Sequence, residues 1–226
     1  MSDMRVASPQ GTGYRNAQGT NKGDLFIADW RDRLMLEGRA FMINVGAFST
    51  PIQGGGAGTI FDQDQPEAII SVPSGTTIRP LRMHVQCQVP LLAADSEESE
   101  ILIAVDRAAA WAGDGTVTTE TALNMRTDNA RASVCSCASA ATANITNPTL
   151  GIELAHAVII GDVQGVAANA MWTPLGLLYE PITPPFIVGP AAVYVYWGGT
   201  VATTGFAQLA WVEFPTTEVT AHNATS

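Results

Sequence analysis

Three histidines, His84, His156 and His222, are the residues best suited to acid–base catalysis. His84 lies on the polar side of one alternating stretch, His156 lies within another, and His222 lies in the C-terminal tail. The sequence contains no Gly-x-Ser-x-Gly, His-Glu-x-x-His or His-x-His motif and no phosphate or dinucleotide fingerprint. We therefore expect a protein that is not an enzyme and that holds no cofactor.

An acidic turn is the strongest candidate for a metal site. Asp95, Glu97 and Glu98 come just before a predicted strand, and loop carboxylates of this kind bind calcium in proteins. The spacing lacks the central Gly and the terminal Glu of an EF-hand loop. The main interpretation is a solvated acidic turn without a metal, and a calcium site between subunits is the alternative.

The cysteines favour packing over metal binding. Cys135 and Cys137 are two residues apart, so both side chains project from the same side of a strand. No further ligands follow at the spacing of a zinc site, and the third cysteine, Cys87, makes an odd set. These features predict free, buried thiols in a reducing compartment.

Trp111 is the best local candidate for the aromatic platform of a carbohydrate site. An aromatic platform beside acidic side chains is a common way to hold a sugar, and Asp106 and Asp114 flank this tryptophan in the sequence. This arrangement is the basis of the alternative function considered below, and burial of Trp111 would count against it.

The composition indicates extensive protein–protein contact. Charged residues make up only 14% of the 226 residues, against about 25% in ordinary soluble domains. No stretch approaches the roughly 20 apolar residues of a membrane span, whereas the cores of protein interfaces are depleted in charge. The net charge of −10 disfavours direct binding of nucleic acid.

Short apolar stretches that alternate with polar residues predict an all-β fold. In the clearest, 76–90, Leu81, Met83 and Val85 alternate with polar residues. The predicted strands are 39–48, 68–72, 76–90, 100–106, 131–141, 150–160, 191–197 and 206–214. Turn residues at 73–75 predict a hairpin between the second and third strands, and 198–205 predicts another between the last two.

Eight antiparallel strands with two long connections, 107–130 and 161–189, fit a jelly-roll sandwich of two four-stranded sheets. The prediction divides the chain into an extended N-terminal arm at 1–38, the jelly-roll domain at 39–215 and a C-terminal tail at 216–226. Because long loops and terminal arms commonly bind neighbours, we expect the subunit contacts there.

Helices are predicted at 24–36 and, over a short stretch, at 173–178. Aromatic and aliphatic residues recur every four positions in the first helix, and further aromatic and proline residues lie in the second long connection. The residues predicted at subunit interfaces are Phe26, Trp30, Leu34, Trp172, Tyr179, Pro184 and Phe186.

Two segments resemble single-jelly-roll structural proteins of viruses, in particular capsid or capsid-associated proteins of bacteriophages. They are 72–81 (VPSGTTIRPL) and 197–215, which starts with WGG and ends with GFAQLAWVEFP. The resemblance implies a homo-oligomer, trimeric or pentameric, that tiles or decorates a shell and contacts other virion proteins. The arm departs from many small coat proteins because its first 23 residues carry only three basic side chains, Arg5, Arg15 and Lys22.

The resulting hypothesis is a virion structural protein, a jelly-roll subunit that self-assembles into a shell or a layer attached to one. The alternative is a carbohydrate- or receptor-binding β-sandwich, such as a decoration protein or spike head. Because the sequence begins without a charged and then apolar leader, we expect synthesis in the host cytoplasm and residence in the virion.

Overall fold

A computed structural model describes residues 5–7, 14–16, 30–55, 61–91, 97–128, 131–146, 148–161, 171–200 and 203–220. The elements within these residues are β1 (Arg5–Ala7), β2 (Tyr14–Asn16), α1 (Trp30–Leu36), β3 (Ala40–Val45), β4 (Ile52–Gln53), β5 (Ala68–Val72), β6 (Thr76–Leu91), β7 (Glu97–Asp106), β8 (Thr116–Glu120), β9 (Leu123–Asn124), β10 (Ser136–Ala143), β11 (Ile152–Gly161), β12 (Met171–Tyr179), β13 (Ile187–Val188), β14 (Ala191–Gly199), β15 (Thr204–Pro215) and α2 (Thr216–Thr220). The predicted all-β class is confirmed. Neither described helix is long and apolar enough to cross a bilayer.

Two antiparallel sheets form a sandwich. Sheet I has the strand order β11-β7-β14-β5-β10-β8. Sheet II has the order β12-β6-β15-β3-β9, with β13 beside β6 and β4 beside β15. A separate two-stranded sheet joins β1 to β2.

The main core lies between the two sheets, and β14 shows how the sequence builds it. Val193, Val195 and Trp197 face this core, while Tyr194 and Tyr196 belong to a second apolar cluster on the other side of sheet I. All nine residues of β14 are buried. Burial on both faces explains why this strand is a continuous apolar stretch without the alternation of a half-exposed strand.

A smaller cluster covers the outer face of sheet II. Leu34 of α1 packs there with Ala40, Leu81, Ala210 and Val212. The short helix therefore shields part of the sheet that would otherwise expose apolar side chains. The observed helix falls within the predicted 24–36, of which residues 24–29 lie outside the described part of the chain.

The strand predictions are right at several positions and wrong at one important position. The strand at 68–72 has the predicted bounds, but 171–179 is a strand, where a short helix was predicted at 173–178. Its nine residues pair continuously with β6. Leu175 is buried and Gly176 is exposed, so successive positions of β12 alternate between the core and the solvent. β12 is also the edge strand of sheet II, a position that tolerates a proline such as Pro174.

Both predicted hairpins are wrong. β5 belongs to sheet I and β6 to sheet II, and β14 and β15 are divided in the same way. Each turn therefore carries the chain from one sheet to the other. Trp197 and Trp211, one on each strand of the second predicted hairpin, lie instead on opposite sheets of one core. The described residues also contain fifteen strands, more than the eight predicted, and the two main sheets have six and seven strands where four each were predicted. The predicted connection at 107–130 contains β8 and β9, and that at 161–189 contains β12 and β13.

Candidate functional site

A cavity of about 770 Å³ opens beside α1. Four arginines, two glutamates and three apolar side chains line it. They are Arg33, Arg39, Arg79, Arg131, Glu37, Glu218, Leu34, Phe186 and Phe214. We call this feature the arginine cavity. Its walls come from α1, the connection between α1 and β3, β6, β15, α2 and the loops that hold Arg131 and Phe186. The tertiary fold therefore assembles it from distant parts of the sequence.

Ion pairs fix one side of the arginine cavity. Arg39 donates two hydrogen bonds to the Glu218 carboxylate, at 2.7 and 3.1 Å, and its Nε lies 3.3 Å from Glu37. Arg33 Nε donates to Glu37 at 2.8 Å. The hydrogen bonds from Arg39 lower the pKa of Glu218, and the same contact raises the pKa of Arg39. This pairing ties α2 to the start of β3.

Arg79 fixes the other side. Its Nε and Nη2 donate to the carbonyl oxygen of Pro184 at 3.2 and 3.0 Å. The guanidinium carbon lies 4.4 Å from the centre of the Phe186 ring, a cation–π contact. Phe186 in turn contacts Phe214, with ring centres 6.2 Å apart. The pKa of Arg79 is lowered mainly by burial and to a smaller extent by the positive charge of Arg31.

The charge of the arginine cavity is opposite to that of the protein. It contains four of the eleven basic residues and only two of the twenty-one acidic residues. Its formal charge is therefore +2, in a chain whose net charge is −10. Concave sites of one charge attract groups of the opposite charge, so this site favours an anionic ligand or partner.

Exposed apolar side chains lie beside the cavity in the segment that we call the 178–188 segment. Leu178 is 53%, Ile182 92%, Phe186 50% and Val188 46% exposed. Arg31 of α1 donates from Nη2 to the carbonyl oxygen of Pro181 at 2.9 Å, which fastens the segment to the helix. Several large apolar side chains exposed within one short segment are typical of a segment that contacts another protein.

The fold brings together some of the predicted interface residues. Leu34 and Phe186 both line the arginine cavity, and the buried Pro184 accepts the Arg79 hydrogen bonds. Tyr179 is half-buried against the main core.

The other predicted interface residues are described less fully. Trp172 lies in β12 opposite Pro90, and Trp30 begins α1, but their side chains are outside the described part of the structure, as is the whole of Phe26. The sequence analysis missed the arginines because positions 33, 39, 79 and 131 have no common spacing.

No metal centre forms from the described residues, in which no three His, Cys, Asp or Glu side chains cluster. Of the calcium candidates, Asp95 and the Glu97 side chain lie outside the description. Glu98 lies in β7 opposite Ile160 of β11, and its backbone N–H donates to Thr200 Oγ1 at 2.9 Å. The alternative calcium interpretation thus gains no support from Glu98.

The groups around Trp111 are engaged within the chain. The half-buried Trp111 donates from Nε1 to the carbonyl oxygen of Asp114 at 3.1 Å. Both carboxylate oxygens of the buried Asp106 accept backbone hydrogen bonds, from Ala108 at 2.7 Å and Thr149 at 2.8 Å. A sugar would have to compete with these contacts, so the arrangement favours a structural role.

The histidines are dispersed. His156 on β11 is exposed, with Nε2 3.2 Å from the carboxylate of the buried Glu100. His84 is half-buried in β6, and His222 lies outside the described residues.

Comparison with known proteins adds no relative: no family model matches the chain, and neither a curated protein nor a solved structure is significantly similar to it.

Proposed function

We propose that this chain is a virion structural protein that self-assembles, through its β-sandwich, into a shell or a layer attached to one. The observation that carries the proposal is the exposed apolar surface of the 178–188 segment beside the arginine cavity. Ile182 is 92% exposed, which costs solvation free energy in an isolated subunit and is relieved when a neighbour covers it.

The strand order supports a jelly roll. Consider β3, β5, β6, β7, β11, β12, β14 and β15 in chain order. Among them, β3 pairs with β15, β5 with β14, β6 with β12 and β7 with β11, so that the first strand pairs with the last and each later pair lies inside the one before it. Such nested antiparallel pairing is what two Greek keys wound into two sheets produce. On this interpretation β8 and β10 are an insertion that extends sheet I.

Assembly also agrees with the composition. A surface poor in charge lowers the desolvation cost of contact with symmetry mates. Closed rings such as trimers or pentamers, built from one repeated contact, would be the units of a larger layer that includes other virion proteins. The proposed connections between units are the arm at 1–38 and the tail at 216–226, apart from α1 and α2, which pack within their own chain.

The alternative, a carbohydrate- or receptor-binding sandwich, would use Trp111 with Asp106 and Asp114. Because the Asp106 carboxylate is already satisfied by backbone groups, this alternative lacks a free polar anchor at Asp106. A receptor-binding head would stop at a small closed oligomer, and assembly size therefore separates the two functions.

The test is the mass of the purified full-length protein, measured by light scattering and followed by negative-stain imaging. We expect particles in the megadalton range, or sheets and rings that grow with concentration. A protein that remains monomeric at every concentration and salt condition would contradict the proposed function. A discrete trimer or pentamer that never grows would favour the decoration protein or receptor-binding head.

A further inference from the structure

We infer that the arginine cavity is a socket for acidic side chains of a second copy of this chain. The inference rests on the proposed function, since it names the contact through which copies recognise one another. Three features of the described residues support it: the charge imbalance, the fixed arginines at the base of the cavity and the exposed arginines at its rim.

The charge imbalance makes a second copy a suitable partner. The four arginines and two glutamates of the cavity leave 7 basic and 19 acidic residues elsewhere in the chain. Two copies therefore repel each other over most of their surfaces, and opposite charges meet only where a positive site faces an acidic one. Such complementarity selects the register of a contact more than it adds to affinity.

The base of the cavity is preorganised. Arg39 has a side chain that is only 22% exposed and is held by Glu218, while Arg79 is held by Pro184 and Phe186. These contacts fix the two guanidinium groups before a partner arrives, so little side-chain entropy is lost on binding.

The rim supplies the groups that a partner would meet first. The Arg33 side chain is 67% exposed and Arg131 is exposed. A guanidinium group presents a planar fork that matches a carboxylate with two parallel hydrogen bonds.

Suitable carboxylates exist on the described surface. The Glu153 side chain is 60% exposed, and the exposed Glu180 directly precedes Pro181 in the apolar 178–188 segment. A contact that buries this segment therefore carries an acidic group with it. The apolar rim of Phe186 and Phe214 would exclude water around the resulting ion pairs and strengthen them.

The test compares assembly of the full-length wild-type protein with three variants by light scattering over a range of concentrations. The double variant Arg33→Gln/Arg131→Gln removes the formal charge of the cavity. We expect it to raise the concentration at half-assembly by at least about tenfold. Glu37→Gln should act in the opposite direction, because it makes the cavity more positive.

Arg82→Gln is the matched control, since it removes an exposed arginine that does not line the cavity. It should assemble as the wild type does. Thermal unfolding of each variant reports whether it folds, and Arg33→Gln alone replaces the double variant if that variant is unfolded. Equal assembly of wild type, cavity variants and control would overturn the inference and leave the proposed function intact. A wild-type protein that never assembles would overturn both.

Discussion

At the scale of single residues, the most unusual group is the buried carboxyl of Glu67. Its two oxygens accept hydrogen bonds from the backbone N–H groups of Gly55, at 2.5 Å, and Trp197, at 2.8 Å. Burial raises the pKa of Glu67 to about 8, and the hydrogen bonds only partly oppose that shift. The residue thereby joins the 51–55 segment to the edge of the core near Trp197.

The raised pKa of Glu67 predicts a pH-dependent stability. Between the ordinary pKa of 4.5 and the folded value of about 8, the folded chain retains a proton that the unfolded chain has released. The free energy of unfolding should therefore decrease as the pH rises through this window. Denaturant unfolding at several pH values measures the slope, and Glu67→Gln should flatten it because the amide does not ionise.

Glu180→Gln is the control for this experiment, as it alters an exposed glutamate of the same type. It should keep the slope of the wild type. If Glu67→Gln and the wild type lose stability equally between pH 4.5 and 8, the buried carboxyl is not the group that titrates.

The cysteines are a second case in which burial sets the chemistry. Cys87, Cys135 and Cys137 are free and buried, as the sequence predicted. Burial raises the pKa of all three thiols, that of Cys137 to about 12. Since the thiolate is the reactive form, these side chains are apolar packing groups of the core and not reactive thiols.

At the scale of elements, the buried Glu213 of β15 anchors the segment that leads into β10. Its carboxylate accepts hydrogen bonds from Ser133 Oγ at 2.5 Å, Val134 N at 3.2 Å and Trp211 Nε1 at 3.1 Å. One side chain of sheet II thus positions the start of a strand that belongs to sheet I.

Replacing this anchor should destabilise the sandwich. Glu213→Ala leaves the Trp211 and Val134 donors without their acceptor, and we expect a loss of about 2 to 4 kcal/mol in the free energy of unfolding. Chemical denaturation measures the change. The matched substitution Glu180→Ala, on the surface, should change stability by less than about 0.5 kcal/mol. Similar losses for the two variants would show that the buried hydrogen bonds contribute nothing specific.

The elements also show where sequence reasoning succeeds. Alternation located β6 and β15 to within a few residues, since side chains at every second position of a half-buried strand must be apolar. It failed at β12, whose Leu175-Gly176-Leu177-Leu178 stretch favours neither period clearly. The pairing of β12 with β6 decided the conformation, and that partner is remote in the sequence.

At the scale of the whole molecule, the distribution of exposed apolar residues connects the fold to the proposed assembly. The 178–188 segment and the arginine cavity are adjacent, because Phe186 lines the cavity and contacts Arg79. When an apolar surface lies next to a charged cavity, burial of the apolar surface drives association and the charges of the cavity select the partner and the register of the contact.

A surface substitution tests this arrangement directly. Ile182→Ser removes the most exposed large apolar side chain described, so it should weaken assembly by about tenfold or more while leaving the unfolding temperature of the subunit unchanged. Val158→Ser is the control, because Val158 is 48% exposed on β11 and does not belong to the 178–188 segment. Light scattering of both variants gives the comparison. Equal assembly by wild type and Ile182→Ser would exclude this segment from the contact.

The sequence by itself determined the β class, most of the large strands, the buried thiols and the excess of acidic charge, because each depends on local alternation or on composition. Only the tertiary structure decided that β5 and β6, and likewise β14 and β15, belong to different sheets. A turn has the same residues whether it closes a hairpin or crosses a sandwich. The pairing of β14 with β5 and β7, and of β15 with β3 and β6, decides between the two arrangements, and these partners are remote in the sequence. The arginine cavity likewise exists only in three dimensions, since its charges converge from distant positions in the sequence.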